Sequence, residues 1–509
     1  AAELERGTKD RKQTAKNMSF SFGSDSQVSL WQLKSNLGYN YGEEDDPNIV
    51  NSAWVAEFES GSDGIPDDSP VLSLDTGNAK KPVVNSDHFN LLQNPALFEL
   101  DAIEHENSKT EDSQWSFQLD ALRDMSFGEI QFGAKARLRQ KKNDENAKIY
   151  GNDSGWTLAD VERAGGAADY NFPNEIDPVA SLRDVRLILE NQAGIELDEI
   201  DSELASTSND WKVDEDIYAA YGMVKYMPDR LIVTAGVRVE YTDFSSDGNE
   251  VELFEEGASY QGQVLEDDLV VTTPISDSRN YTDILPSINV RYEFTDQILG
   301  RAAISRSVVR PIFEQVASRV AVEDGEAEVG NPQLDPYKSW NYDLAIEYYP
   351  GRLSVLSAGL FYKEIDDFIF TQTLDDYVFQ NIAYDEVTIA LNGDTATVLG
   401  VEFNYQQYFG FLPSPWDGLL VAANYSYIDG DAKVEGRDIP MPKQSDSLAG
   451  FTVGYEKYGV ELRLAMKYRD RYLDEVVEQG ADRYTDSPTV WEFSDPHHVN
   501  AHLLSCPDI

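Results

Sequence analysis

Three histidines near the carboxyl end have the spacing that most resembles a metal site. His498 and His502 stand four positions apart, with His497 just before them. On a helix, imidazoles four residues apart share one face and could bind zinc. The alternative is that the tail, residues 476–509, is an unusual terminus outside the strands of the fold. We favour this second interpretation and predict no metal site here.

Runs of carboxylates could instead supply oxygen ligands to calcium. Such runs occur at 43–46 and 266–268, with shorter Asp-Gly segments at 247–249 and 429–431. None has the twelve-residue spacing of a defined calcium loop. Solvated charge in outer loops is the simpler interpretation, and binding of calcium there is left open.

The sequence contains no recognisable catalytic motif. It has no Gly-x-Ser-x-Gly, no His-Glu-x-x-His and no phosphate-binding glycine loop. With 92 Asp and Glu residues, carboxylate pairs occur everywhere, so proximity in sequence cannot identify the acid and base of a glycosidase. We therefore predict that the chain is not an enzyme and needs no cofactor.

Composition excludes further classes of protein. Over 509 residues the formal net charge is −51, which argues against nucleic-acid binding because phosphates would be repelled. The single cysteine, Cys506, excludes an internal disulfide. No apolar run approaches the ~18–20 residues of a membrane-spanning helix. A transmembrane β-barrel stays possible, since it needs only every second residue to be apolar.

Any functional side chains must be positioned by β-strands, because apolar residues recur with period two. In 231–241, for example, Leu, Val, Ala, Val, Val and Tyr alternate with Ile, Thr, Gly, Arg and Glu. The same alternation occurs in 130–139, 287–294 and 460–469. One face of each strand meets an apolar surrounding, and the other carries large charged groups.

Short and long connections alternate along the chain. Tight turns at 227–230, 295–297, 350–352 and 457–459 join strands into about seven hairpins, near 17–41, 113–140, 216–241, 287–307, 340–363, 399–428 and 447–469. Between hairpins lie long polar stretches: 42–112, 141–214, 242–286, 308–339, 364–398 and 429–446. Short turns at one rim and long loops at the other are typical of an outer-membrane barrel. Residues 178–195 predict a short amphipathic helix inside one long loop.

Several segments, in one order along the chain, resemble the TonB-dependent receptor family. They are 217–221 (IYAAY), 236–242 (GVRVEYT), 285–287 (LPS), 301–311 (RAAISRSVVRP), 330–336 (GNPQLDP), 341–344 (NYDL), 347–349 (EYY), 361–369 (FYKEIDDFI), 400–402 (GVE), 423–425 (ANY) and 455–457 (YEK). The resemblance is firm over 215–475 and looser over 1–214. Its style is closest to the carbohydrate-uptake receptors of Gram-negative bacteria.

The resemblance implies an all-β, antiparallel transmembrane barrel with long extracellular loops and short periplasmic turns. Family members resemble 22-stranded barrels closed around a plug domain, whereas 14 to 16 strands are expected here. We therefore expect a partial barrel over 1–475, a fragment without plug or closing strands. Its expected partners are outer-membrane lipid, the plug of the same full-length receptor, the TonB energy-transducing complex through a missing N-terminal region, and a small-molecule or oligosaccharide ligand.

Charged residues on the polar faces of the strands are predicted to line the lumen. In family members this wall holds the plug, so most of them should contact the plug through hydrogen bonds and ion pairs. The lumen-facing candidates are Arg137, Arg238, Glu240, Arg291, Arg301, Asp343, Glu347, Lys363, Glu402 and Arg463.

Aromatic residues in or below the outer loops could bind sugar rings through their flat faces. The candidates are Trp156, Tyr170, Trp211, Tyr281 and Trp340. The alternative for each is packing within its own loop or within an interfacial belt.

The outer loops are predicted to be strongly acidic. Residues 41–70 contain nine acids and no bases, and residues 243–268 contain nine acids and no bases. Such a rim would disfavour anionic siderophores and suit neutral oligosaccharides or cations. The predicted function is therefore outer-membrane uptake of an oligosaccharide. The alternatives are a passive porin-like channel, a siderophore receptor or a soluble secreted polysaccharide-binding β-protein.

Overall fold

A computed structural model describes residues 2–58, 72–75, 83–86, 91, 93–163, 178–254, 256–323, 326–351, 353–379, 382–434, 437–477, 482–495 and 498–505. Most of them lie in β-strands. The strands of the first half are β1 (Ala2–Asp10), β2 (Thr14–Val28), β3 (Trp31–Phe58), β4 (Leu72–Asp75), β5 (Val83–Ser86), β6 (Glu99–Met125), β7 (Gly128–Asn152), β8 (Glu162–Arg163), β9 (Val179–Ala180), β10 (Ile195–Asp198), β11 (Trp211–Tyr226), β12 (Leu231–Phe254), β13 (Ser259–Tyr260), β14 (Gln263–Val264) and β15 (Leu269–Glu293).

The remaining strands follow in the second half of the chain. They are β16 (Ile298–Val309), β17 (Val320–Glu323), β18 (Glu326–Val329), β19 (Tyr337–Gly351), β20 (Ser354–Asp366), β21 (Ile369–Phe379), β22 (Ile382–Asn392), β23 (Thr395–Tyr408), β24 (Leu419–Val434), β25 (Arg437–Pro440), β26 (Ser447–Lys457), β27 (Val460–Arg469), β28 (Tyr472–Val477), β29 (Arg483–Thr485), β30 (Thr489–Asp495) and β31 (His498–Ser505). The α-helices are α1 (Leu182–Asn191), α2 (Glu199–Ser208) and α3 (Phe313–Val316), and single 3-10 turns span Pro95–Leu97, Leu158–Asp160 and Trp416–Gly418.

Nineteen strands form one antiparallel sheet. Sixteen of them pair in chain order: β2, β3, β6, β7, β11, β12, β15, β16, β19, β20, β23, β24, β26, β27, β30 and β31. The other three, β1, β10 and β25, pair with the far ends of β3, β7 and β24. Between described residues no pairing joins β2 to β31, so the sheet is an incompletely closed barrel of the predicted strand number.

All seven predicted hairpins are present, and their turns share one rim. Hydrogen bonds link neighbouring turns, from Met227 N to Phe127 O, from Glu293 N to Arg230 O and from Tyr349 N to Gln297 O. Long loops leave from the opposite ends of the same strands. By the rule for outer-membrane barrels, the short turns are periplasmic and the long loops extracellular.

Adjacent residues point to opposite faces of the sheet, which separates the two kinds of side chain. Val237 is exposed on the face that also carries Phe117 and Ile288, whereas Arg238 lies opposite Tyr221 on the other face. We call the first the outer face and the second the inner face. Exposed apolar side chains are tolerated on the outer face because lipid surrounds it.

Long stretches predicted to be loops are strands instead. β3 continues to Phe58 and β6 begins at Glu99, so much of 42–112 extends the hairpins beyond the membrane. β7, β12 and β15 extend in the same way into 141–214 and 242–286. Apolar residues of these extensions, such as Val50, Trp54 and Ile103, are buried against other extracellular segments. Lipid does not cover these parts of the strands, so their sequence lacks the long apolar alternation by which strands are recognised.

Extracellular segments also form structure that the strand pattern does not reveal. β17, β18, β22, β21, β28 and β29 make a second sheet from three separate loops, with parallel pairing between β18 and β22 and between β21 and β28. The helix predicted within 178–195 is α1, capped by Ser181. The following helix α2 was not predicted from the sequence.

The carboxyl end differs from its prediction. Within the tail 476–509, β30 pairs with β27 and β31 pairs with β30, so the sheet continues through this segment. His498 and His502 therefore lie on a strand, where four positions span ~13 Å, and not on a helix. Cys506, His497 and most of 59–90 and 164–177 lie outside the described residues. In the described part of the chain, no helix is both long and apolar enough to span a membrane.

Candidate functional site: the inner face and the loop that covers it

The inner face gathers charged residues from eight of the strands between β7 and β27. Direct cross-strand partners share a face, and the register from β7 to β27 places all ten predicted lumen residues on the inner face. They are Arg137, Arg238, Glu240, Arg291, Arg301, Asp343, Glu347, Lys363, Glu402 and Arg463. This geometry agrees with a lumen wall, while contact of these residues with a plug stays a prediction.

Opposite charges along this wall pair locally. The shortest N–O distance is 2.7 Å for Arg238 with Glu240, for Arg291 with Glu293 and for Arg301 with Glu347. Lys363 Nζ donates to Asn341 Oδ1 over 3.3 Å. The side chains of Asp343, Glu402 and Arg463 are exposed on the same face. A surface of mixed sign with many donors and acceptors suits contact with another polar surface or a hydroxylated ligand.

Residues 310–323 and 326–336, which we call the inner loop, fold back from the end of β16 onto the inner face. Phe313, Val316 and Leu334 of this loop are buried against side chains of β11 and β12. The strand residues in this cluster are Trp211, Val213 and Phe244. Burial of these apolar groups explains why the two ends of the loop stay against the wall, while β17 and β18 between them join the second sheet.

A glycine allows the inner loop to approach β12 closely. A Cβ at Gly248 would lie 1.8 Å from the carbonyl oxygen of Ser318, far inside van der Waals contact. Two positions earlier on the same face, Ser246 Oγ accepts a hydrogen bond from Ser318 N at 2.8 Å. The loop is thus fixed to the strand at backbone level.

Arg310, the first residue of the inner loop, connects carboxylates of three strands. Its guanidinium donates to Glu240 Oε2 and Thr242 Oγ1, both at 2.8 Å. It also lies 3.8 Å from Glu215 and 3.9 Å from Asp283. Two further cations complete the cluster, with Arg137 at 2.9 Å from Glu215 and Lys338 at 3.0 Å from Asp283. Three buried carboxylates without cations would repel one another, so the cluster requires Arg310 in place.

Two basic residues of β7 hold the helical turn α3. Lys141 donates to the carboxylate of Glu314. Burial raises the pKa of Glu314, but the hydrogen bonds from Lys141 and from the backbone, together with the charges of Lys141 and Arg319, outweigh burial and lower that pKa. Arg139 lies over the Phe313 ring at 4.4 Å and binds Asp112 through two hydrogen bonds of 2.6 and 3.0 Å.

The predicted sugar-binding aromatics do not form one site. Trp211 is buried beneath the inner loop, and Tyr281 lies beside Arg310 at 5.9 Å, so these two belong to the same region. Trp156 packs in an extracellular cluster and donates to Ala193 O at 2.8 Å. Trp340 lies on the outer face, 5.9 Å from Arg306. Tyr170 is outside the described residues.

Several residues that are central to this region were not predicted from the sequence. Arg310, Glu215, Asp283 and Lys338 meet only because the inner loop turns back on the wall. The only sequence feature that points to Arg310 is its position, with Pro311, at the end of a segment that resembles the family. Within the described residues there is no group of three or more His, Cys, Asp or Glu side chains arranged to hold a metal ion.

A large antiparallel sheet with a lipid-compatible outer face, a charged inner face and long loops at one rim defines an outer-membrane β-barrel. The chain matches the family model described as TonB dependent receptor-like, beta-barrel, over residues 3–502. It therefore belongs to the TonB-dependent receptor family, whose members reside in the Gram-negative outer membrane.

A solved outer-membrane receptor agrees with this chain in fold. The chain is similar to the ferric-catecholate import receptor Fiu of E. coli K12 in its closed form, with a TM-score of 0.51 and 11% identity, covering 92% of this chain and 58% of that one. The comparison with copper transporter OprC gives a TM-score of 0.47 and 11% identity, covering 96% of this chain and 72% of that one. The comparison with the unliganded ferric citrate transporter FecA gives a TM-score of 0.45 and 11% identity, covering 96% of this chain and 70% of that one. The chain thus spans less than two thirds of the length of Fiu. The search of curated proteins found no match.

Proposed function

We propose that this barrel forms the wall of a receptor that binds a nutrient at its extracellular mouth and passes it inward. A plug domain would occupy the inner face, and a TonB energy-transducing complex would move that plug. Membership of the family supports this proposal, and so does the band of charged residues on the inner face from Arg137 to Arg463, several of which form ion pairs. Such a band offers the partners that a polar, removable plug needs.

We infer that the ligand is an oligosaccharide, and the acidity of the mouth carries this inference. Burial raises the pKa of Asp367 at the extracellular end of β20, and the nearby carboxylates of Asp335 and Asp366 raise it further. The pKa of Asp446 is likewise raised, first by burial and then by Asp470 and Asp429. The ionised carboxylates around Asp367 and Asp446 create a negative potential at the mouth, which repels an anionic chelate and leaves a neutral sugar unaffected.

Binding by the refolded chain in detergent tests the ligand class. Calorimetry with a series of neutral oligosaccharides should give binding that changes little between 50 and 500 mM salt, since no net charge is exchanged. A ferric-catecholate anion should bind weakly or not at all. Tight binding of that anion with no binding of any sugar would reject an oligosaccharide ligand.

Two double variants test whether the negative potential of the mouth selects the ligand. Asp335→Asn with Asp367→Asn removes two charges at the mouth and should increase binding of the anion while leaving sugar binding unchanged. Asp25→Asn with Asp124→Asn removes two charges near the periplasmic rim and serves as the control. Equal effects of the two pairs would show that the local potential of the mouth does not select the ligand.

Gating is tested on the full-length receptor. We expect saturable, energy-dependent uptake by cells that express it, lost when the energy complex is absent. Uptake that is linear in ligand concentration and independent of that complex would favour the passive channel instead.

A further inference from the structure

One sector of the inner face, on β2, β3 and β6, is built from uncharged polar side chains. Asn40 of β3 pairs with Gln114 of β6, and Gln114 pairs with Arg139 of β7, so these three side chains share the inner face. Every inner-facing residue of 17–21, 36–42 and 114–118 is Asn, Gln, Ser or Gly. We call these positions the amide sector.

A recess of about 410 Å³ opens at the extracellular end of the amide sector. It is lined on this face by Asn17 and Ser19 of β2, Asn40 and Gly42 of β3, and Gln114 of β6. The glycine deepens the recess, since a Cβ at Gly42 would meet only Asn17 Oδ1 at 3.4 Å and Asp112 O at 4.0 Å. The volume of the recess falls within the ~300–1,000 Å³ of small-molecule sites.

An ion pair closes the side of the recess that faces β7. Arg139 donates to the two carboxylate oxygens of Asp112 over 3.0 and 2.6 Å, and its guanidinium lies 4.4 Å from the centre of the Phe313 ring. The side chains of Arg139 and Asp112 stay 34% and 30% exposed. Two of the five guanidinium donors are used within the pair, so the other donors can bind a ligand.

The amides that line the recess have unused hydrogen-bonding groups. Among the residues that the structure describes, the side chains of Asn17 and Gln114 have no hydrogen-bond partner. Asn40 accepts a hydrogen bond from Ser19 through Oδ1 at 2.8 Å, which leaves both protons of its amide group available. Donors and acceptors placed side by side in this way match the hydroxyl groups of a sugar.

The recess lies near the extracellular mouth. Asn40 and Gln114 are sequence neighbours of Tyr39 and Trp115, whose rings lie 4.6 Å apart on the outer face. Aromatic residues of this kind form the belt at the membrane interface of a barrel. A ligand that enters from outside therefore reaches the recess before it reaches the deeper wall.

We propose that the recess binds one unit of a neutral oligosaccharide as the sugar enters the lumen. This inference rests on the oligosaccharide ligand proposed above and adds the place where that ligand is recognised. The amides of Asn40 and Gln114 donate to ring hydroxyls and accept from them, while Arg139 donates to a neighbouring hydroxyl and Asp112 accepts from it. The only cation that lines the recess is paired, so nothing there offsets the cost of removing an anionic group from water.

Photo-cross-linking locates the sugar without any variant having to fold. Diazirine-bearing maltohexaose, cellohexaose and xylohexaose are each irradiated with the refolded chain in detergent, and the digested protein is sequenced by mass spectrometry. We expect a sugar that binds to label residues within 17–19, 40–42 or 112–114, and the same sugar without diazirine to suppress that labelling. Labelling confined to other segments would overturn the proposal.

Variants at the recess test the role of the amides. Asn40→Leu with Gln114→Leu keeps the size of a directly paired couple but removes its hydrogen bonds, so the dissociation constant of the sugar should rise about tenfold or more. Asn404→Leu with Asn424→Leu makes the same change in a directly paired couple on the inner face of β23 and β24. This control should change the dissociation constant less than twofold.

A second variant fills the recess and keeps both amides. Gly42→Leu should weaken sugar binding at least tenfold. Gly359→Leu, on the inner face of β20, is the control, since a Cβ there meets only Leu344 O at 3.9 Å. Sugar binding that is equal in wild type and in both recess variants, or equally weakened by a control, would reject the recess while the oligosaccharide ligand stands. If wild type binds none of the three sugars, the ligand class and the recess are rejected together.

Discussion

Arg310 is the residue on which the arrangement of the inner face depends most. Its side chain is 14% exposed and lies among Glu215, Glu240 and Asp283. Removing one partner from a buried charge cluster costs more than the interaction itself contributes, because the remaining charges stay buried and repel.

We predict that Arg310→Ala destabilises the docked inner loop by about 3 kcal/mol. Arg310→Lys should have a smaller effect because it keeps the charge but loses the planar donor arrangement. Hydrogen exchange at the Gly330 and Asn331 amides, both bonded within the loop, provides the measurement. Arg230→Ala is the control, since its pair with Asp296 is exposed and should contribute under ~1 kcal/mol. Equal exchange in the Arg310 and Arg230 variants would show that the cluster does not hold the loop.

Glu314 gives the same loop a dependence on pH. Burial raises its pKa, but the hydrogen bonds from Lys141 and the backbone, with the charges of Lys141 and Arg319, together lower the folded-state pKa below the ordinary 4.5. A lowered carboxylate pKa contributes stability that is present above the unfolded pKa and is lost as pH falls through the folded value. We therefore expect loop exchange, corrected for its intrinsic rate, to accelerate as pH falls below 4.5. Glu314→Gln should remove this dependence, and a variant that keeps the full pH response would assign it to another group.

Single residues show where sequence reasoning succeeds and where it stops. The side on which Arg238, Arg291 or Glu402 lies follows from period-two alternation, which is a local property of a strand. That Arg310 meets Glu215 could not be predicted, because 95 positions separate them and a loop must fold back first. Trp340 shows a second limit. An aromatic residue near a strand end can face either lipid or lumen, and only the register of its strand determines which of the two it faces.

At the scale of elements, the inner loop and β12 fit together through one glycine. In Gly248→Ala the new methyl carbon would lie 1.8 Å from Ser318 O, so the loop must move away from the strand. We expect the Ser318 to Ser246 hydrogen bond to break and exchange at the Ser318 amide to rise at least tenfold, about 1.4 kcal/mol or more. Gly151→Ala is the matched control because a Cβ at Gly151 meets nothing within 4 Å. Unchanged exchange in Gly248→Ala would mean that the loop tolerates displacement without loosening.

Hairpins and extracellular extensions were predictable to different degrees for a physical reason. The seven hairpins pass through lipid, and lipid imposes apolar alternation on the sequence. Beyond the membrane, β3 reaches Phe58 and β7 reaches Asn152, and there apolar residues such as Val50 and Tyr150 are buried by other extracellular segments instead of lipid. The parallel pairing of β18 with β22 joins two loops that are distant in sequence, so no local sequence pattern predicts this pairing.

The whole molecule must be oriented with lipid on one face only, and two adjacent residues test this. Ile288 is 50% exposed on the outer face of β15, about midway between the aromatic residue Tyr292 near the periplasmic turn and the level of Tyr241 across the strand pair. Asn289, its neighbour, lies opposite Ala303 on the inner face. A cationic side chain at the bilayer midplane costs about 2–4 kcal/mol, whereas the lumen side accepts polar groups.

We predict that Ile288→Arg lowers the free energy of unfolding in lipid vesicles by about 2–4 kcal/mol and that Asn289→Arg changes it by less than ~1 kcal/mol. Urea titration of vesicle-inserted protein gives both values. In detergent micelles, which deform around a charge, the difference should shrink. Because the two positions share a strand, its pairing and its depth, strand propensity cannot produce this contrast. A larger cost at Asn289 would place lipid on the charged face and reverse the assignment of every residue on the wall, including Arg238 and Glu402.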